Sequence, residues 1–132
     1  MKVVCDTNVL IAAVVADGLC RDIVKRRLQM VDLFTSVALI KELDTTLRVK
    51  FRTDPADLPL LAAYRERTSL VKPAKLAHPI CRDPDDDVVL ATAKAANADC
   101  VLTGDQDLLA LGRFEDVVIL SPRQFVELMD RC

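Results

Sequence analysis

The sequence predicts an α/β domain: a mainly parallel sheet with helices on both faces. Two observations carry this. Short apolar runs rich in Val, Ile and Leu recur along the chain, as strands buried on both faces require. Helical patterns separate them, and strand–helix alternation is what a parallel sheet joined by crossover helices looks like in sequence. A third observation bears on function: acidic residues recur where these strands end or the helices begin.

Taken in order, Lys2–Cys5 is a strand, and Val9–Val15 a short apolar helix. Gly18–Met30 reads as a second helix, with Leu19, Ile23, Val24 and Leu28 at helical spacing and Arg21, Lys25, Arg26 and Arg27 outside. Leu33–Thr35 is a weaker strand. Ser36 is placed to cap a helix through Leu47 whose apolar stripe is Leu39, Ile40, Leu43 and Leu47. Asp54 and Pro55 open a helix over Pro55–Thr68 as N-cap and first-turn proline. Ser69–Val71 is another weaker strand. Asp83-Pro84 repeats the cap–proline device before a helix through Ala96. Cys100–Thr103 and Val117–Leu120 are strands, with a short helix after Gly104-Asp105 between them. Ser121-Pro122 opens a closing helix that turns Phe125, Val126 and Met129 inward.

The 132 residues suit one domain with a real core, and a 52% apolar content argues against disorder. The apolar stretch Val9–Ala16 is far too short to span a bilayer, and no basic segment precedes it as in a signal peptide. No membrane partner and a cytoplasmic location are therefore expected. Five cysteines without a C-x-x-C pair fit neither a disulfide framework nor a zinc site. A Cys–His enzyme would depend on His78, the one histidine, which stands beside Pro79 in an expected loop. Only three glycines occur, so a glycine-rich phosphate loop is excluded. The net charge of −2 gives no electrostatic footprint for tight DNA binding. It is compatible with a nuclease, because a bound cation adds local positive charge. Sixteen of the 20 acids are Asp, a short side chain suited to caps, turns and metal shells.

Four acidic positions carry the functional reading: Asp6 in Val3-Val4-Cys5-Asp6-Thr7-Asn8, Glu42 one turn into the helix after the second strand, the run Asp83-Pro84-Asp85-Asp86-Asp87, and Asp105 in Leu102-Thr103-Gly104-Asp105. Ligands of open parallel sheets bind beyond the carboxyl ends of the strands, near the point where strand order reverses. First and fourth strands are neighbours in a common doubly wound order, so Asp6 and Asp105 are expected to meet there. Each acid also has a plainer role. Asp6, Asp83 and Asp105 are placed to cap helices, Asp86 to complete a capping box with Asp83, and Glu42 to lie on a solvated face. Helical register favours Asp86 as the site carboxylate, with Asp87 about 100° around the helix as the second choice. Crowded carboxylates must share protons or a cation, and Mg²⁺ or Mn²⁺ suits oxygen ligands.

These pieces together resemble the PIN-domain ribonucleases, in particular the branch of toxin components akin to the VapC toxins. The resemblance runs through Val3–Ile11, Glu42-Leu43 with Leu47-Arg48, Cys81–Asp87 and Ala98–Leu109, in order and over nearly the whole chain. It implies an α/β/α sandwich around a parallel sheet of four or five strands. It also implies metal-binding carboxylates at Asp6, Glu42, Asp86 and Asp105; members often have Asn where this chain has Asp87, the further acid that the run itself offers a metal. Asn8 and Thr103 would support the site by hydrogen bonds and Asp107 would be an auxiliary acid. Implied too are an RNA substrate, a homodimer and an antitoxin encoded nearby.

Hydrolysis of RNA by an activated water is the expected chemistry. Lys25, Arg26, Arg27, Arg48, Lys50 and Arg52 are candidates for phosphate contact. With one Tyr and four Phe there is little for base stacking, which favours recognition by backbone and shape. A phosphoacceptor receiver domain would need adjacent acids after the first strand and a Lys after the fifth, where the chain has Asp6 followed by Thr7, and Ser121-Pro122. A haloacid-dehalogenase-type phosphatase would need D-x-D at the first strand, where position 8 is Asn8. A catalytically silent binding module is the remaining alternative, and the intact acids argue against it.

Overall fold

A computed structural model describes residues 1–131. Six strands form one sheet in the order β3-β2-β1-β4-β6-β5: β1 (Lys2–Cys5), β2 (Asp32–Thr35), β3 (Thr68–Leu70), β4 (Cys100–Leu102), β5 (Arg113–Phe114) and β6 (Val117–Leu120). Every pairing is parallel except that of β5 with β6. Seven α-helices accompany them among the described residues: α1 (Thr7–Val15), α2 (Leu19–Lys25), α3 (Val37–Lys50), α4 (Pro59–Arg67), α5 (Pro84–Ala96), α6 (Gln106–Leu111) and α7 (Pro122–Arg131). This is the expected α/β/α sandwich with a mainly parallel sheet. It is wider by one strand, because β5 is two residues long and leaves no period to read. The turn at Glu115, held at φ 52°, folds β5 back onto β6.

Alternation along β1 divides the core. Val3 and Cys5 face one layer with Ile23, Leu43, Leu61 and Phe125. Val4 faces the other with Leu39, Val89, Leu90 and Leu108. Successive strand residues point to opposite faces, so two cores are built from one short run.

Three elements differ from their sequence reading. The helix expected over Gly18–Met30 stops at Lys25 and gives way to a turn of 3₁₀ helix at Arg27–Met30. Arg67, from α4, donates to the carbonyls of Leu28 and Gln29, so this turn's backbone acceptors are met by a distant side chain. The helix expected from Pro55 is also broken. Pro55–Asp57 is 3₁₀, Leu58 is extended, and α4 begins at Pro59, because a residue before proline is driven out of the helical region. Ser36 sits at the start of α3 but its hydroxyl makes no capping bond. It accepts instead from Thr92 of α5, 3.0 Å away in the interior.

The caps at Asp54, Asp83 and Ser121 do form. α5 ends on Asn97 in the left-handed conformation, which Asn tolerates better than most residues. Four cysteines (Cys5, Cys20, Cys81 and Cys100) are free thiols, and Cys132 lies outside the described residues. No helix among the described residues is long and apolar enough to cross a membrane.

Leu43 is fully buried one position from Glu42, so its packing sets how that turn of α3 meets the sheet. Leu43→Ala should lower stability by about 2–5 kcal/mol. Val49→Ala, on the exposed end of the same helix, should stay within about 0.5 kcal/mol. Urea unfolding of the two variants measures both.

Candidate metal centre

The sheet's order places the acids. β1 leads outward to β2 and β3, and β4 to β6 and β5, so strand order reverses between β1 and β4. The register pairs Cys5 with Leu102. One residue further, the Asp6 N–H still donates to the Leu102 carbonyl at 2.9 Å, and Thr103 donates to Leu120 at 3.0 Å. Asp6 and Thr103 therefore leave adjacent strands side by side, and the Thr103 hydroxyl donates to the Asp6 carboxylate at 2.7 Å inside the protein. Asp6 occupies the N-cap position of α1 without making a capping bond. Its carboxylate is committed to Thr103, a residue 97 positions away.

The next turn of chain is cross-braced. The Thr103 hydroxyl accepts from the Asp105 N–H at 3.0 Å, and Asn8 Oδ1 accepts from the Gly104 N–H at 3.2 Å. Asp105 caps α6 through the Leu108 N–H at 3.0 Å. The capping role thus coexists with a place among the acids. Oxygens of Asp86, Asp105 and Asp107 all lie within 4.8 Å of one another. Asp86 comes from the first turn of α5, held there by the Asp83 cap on the Asp85 N–H at 2.9 Å. Its carboxylate lies within 4.8 Å of those of Asp105 and Asp107, and among the described residues it makes no bond back to the Asp83 N–H as a capping box would have it.

The electrostatics report the crowding. Burial, then Asp105, Asp83 and Asp6, push the Asp86 carboxyl up to about 7. Burial raises Asp6 as well, helped by Asp105 and opposed by the Thr103 hydrogen bond. Burial raises Glu42, with Asp6, Asp85 and Asp83 acting in the same sense. Glu42 is therefore half-buried against the acids of the β1 end and the α5 start, not out on a solvated face.

The expected residues are not all brought together equally. Asp6 and Glu42 stand around the Asp86–Asp105–Asp107 group without joining its 4.8 Å circle. Asp107, expected only as an auxiliary acid, is inside it. Asp87, offered by the sequence as a further ligand, is not turned to the group. Its two oxygens accept the backbone N–H groups of Ile80 (3.2 Å) and Cys81 (2.8 Å), where it anchors the preceding loop. Helical register explains the difference, since neighbours on a helix diverge by about 100°. Arg82 was missed: it clasps Asp107 through Nη2 at 2.8 and 2.9 Å. A base embedded in the run Cys81–Asp87 was the signal for it.

A cation fits this donor set. The donors are carboxylate oxygens, which are hard ligands, and three of them lie within 4.8 Å of one another. Asp6 is buried and Glu42, Asp86 and Asp105 are half-buried, while the grooves along α2 and α4 are mostly apolar and contain none of them.

A carboxyl protonated in the fold and ionised when unfolded binds more protons in the native state, so stability is highest at low pH and is lost as pH rises through the folded value. For Asp86 that window runs from the ordinary carboxylate range up to about 7. The metal-free protein should therefore melt higher at about pH 5.5 than at about pH 8. Asp86→Asn should flatten that dependence and raise the melting temperature on the alkaline side. Differential scanning calorimetry in EDTA reads both.

A family model described as PIN domain matches residues 2–107. The uncharacterized protein MJ1680 of Methanocaldococcus jannaschii is 28% identical over 145 residues, covering 96% of this chain and 90% of that protein. PIN domains are in general nucleases and usually bind divalent metal ions. The family match begins in β1, ahead of Asp6, and ends at Asp107, so it takes in the whole acidic rim: the chain belongs to the PIN-domain family.

Proposed function

We propose that the protein is a metal-dependent endoribonuclease that hydrolyses RNA phosphodiester bonds at the acidic rim. The observation that carries this is the convergence of Asp6, Glu42, Asp86 and Asp105 from four separate stretches of chain at the strand-order reversal. These carboxylates would hold Mg²⁺ or Mn²⁺, with Asp107 at hand as a further oxygen donor. Such an ion supplies Lewis acidity, making a water nucleophilic near neutral pH and offsetting charge on the phosphate.

The chain's own residues position and preorganise. Thr103 fixes the rotamer of Asp6 and, through the same oxygen, the backbone of Asp105. Asn8 holds the Gly104 peptide that joins them. The Ser36–Thr92 bond ties the start of α3, which carries Glu42, to α5, which carries Asp86. His78, the one imidazole, lines a groove with Ala38, Pro73 and Ala91 and is not among the acids. With a water activated at the metal as the nucleophile, the products would carry 5′-phosphate and 3′-hydroxyl ends.

The further reading is that this nuclease is the toxin of a type II toxin–antitoxin pair, acting in the cytoplasm as a homodimer and neutralised by a small protein encoded nearby. The likeness of Val3–Ile11, Cys81–Asp87 and Ala98–Leu109 to that branch supports it. Co-purification of the product of the adjacent reading frame, with growth arrest when this chain is expressed without it, is the expected result. Normal growth would remove the toxin role and leave a stand-alone nuclease.

Asp6→Asn preserves shape and removes one charge. It should reduce cleavage of a labelled RNA in Mg²⁺ or Mn²⁺ by more than about 100-fold. Thr103→Val, which removes only the group that orients Asp6, should cost about 10–100-fold in metal affinity. Cleavage by Asp6→Asn at the parent's rate would show that the site is elsewhere. Mapping of product ends separates hydrolysis from internal transfer, which would leave a cyclic phosphate.

A further inference from the structure

A polyanion must be held at this rim by positive charge, yet the rim is built of acids. The bases first considered for phosphate contact lie elsewhere. Lys25, Arg26 and Arg27 close α2 and open the 3₁₀ turn that leads into Asp32, at the start of β2 and so on the opposite rim of the sheet. There Arg26 pairs with Asp22, and Arg27 with Asp22 and Asp130. Arg48 pairs with Asp54, and it lies about 9 Å further along α3 than Glu42. Lys50 and Arg52 lie beyond it.

Arg82 is placed differently. It precedes the cap of α5 and sits on the acidic group itself, bonded to both oxygens of Asp107. Its side chain is 86% exposed and that of Asp107 42%. Both bonds use Nη2, and among the described residues no hydrogen bond occupies Nε or Nη1. The guanidinium therefore presents unused N–H donors beside the acids. An exposed ion pair of this kind is held weakly. A phosphate offers a guanidinium the same forked geometry that a carboxylate does.

We propose that Arg82 is a substrate-binding residue, parked on Asp107 in the free protein and transferred to a non-bridging phosphate oxygen of the RNA backbone when the strand binds. The exchange needs only a side-chain rotation at the surface, and the released Asp107 carboxylate stays hydrated. This inference rests on the ribonuclease reading above. It gives recognition of backbone over base a physical source.

The test measures binding of a fluorescein-labelled, mixed-sequence single-stranded RNA by anisotropy, in Mg²⁺ and across a series of KCl concentrations. All proteins carry Asp6→Asn to suppress cleavage. Adding Arg82→Gln should weaken binding about tenfold. It should also reduce the slope of log affinity against log salt by about 0.7, the value for one lost single-strand phosphate contact. Adding Asp107→Asn should tighten binding by freeing Arg82, and that gain should vanish when Arg82→Gln is also present. An unchanged affinity and slope in Arg82→Gln would overturn the proposal. So would an equal gain from Asp107→Asn with and without Arg82, which would mark simple removal of negative charge. If the parent protein neither binds nor cleaves RNA, the ribonuclease reading itself fails. If it does both while Arg82→Gln is indistinguishable, only the role of Arg82 falls.

Discussion

Repulsion between like charges is the constraint on which the rest of this structure turns. The fold drives Asp6, Asp86 and Asp105 together with Glu42 close by; burial first, and the neighbouring carboxylates with it, raises Asp6, Glu42 and Asp86 above the ordinary carboxylate range. Such an arrangement opposes folding. It persists because hydrophobic layers on both faces of the sheet leave the strand ends no other place to go. A protein seldom keeps an arrangement that costs stability unless another interaction recovers it, and an ion among oxygen ligands is the direct way.

The architecture was legible in the sequence because buried parallel strands are nearly continuous apolar runs. Lys2–Cys5 and Val117–Leu120 have the same bounds in sequence and structure. What could not be read depends on distant partners. The early stop of α2 has Arg67 behind it, from a helix some forty residues later. The break before α4 had a local signal, Pro59, which was outweighed by the cap–proline pair at Asp54 and Pro55. Strand β5 is too short to carry a period at all.

The site was legible in a different way. Asp6 and Asp105 were placed by strand order, and periodicity separated Asp86 from Asp87 by rotation about α5. That rotation is real: one acid faces Asp105 and the other anchors the loop at Ile80 and Cys81. Partnerships were harder. Nothing in the spacing says that Ser36 accepts a bond from Thr92, or that Asp107 is clasped by Arg82. Such bonds join residues that only tertiary structure brings together, and a side chain with two uses shows only the nearer one in sequence.

The buried bond between Ser36 and Thr92 has a consequence for how the rim works. It fastens the N-cap of α3 to the third turn of α5, so the helices that carry Glu42 and Asp86 are tied to each other directly as well as through the sheet. The acids are thus positioned by the packing of the fold itself. On the nuclease reading, a cation held among them would offset their mutual repulsion, and little of its affinity would be spent on ordering the ligands.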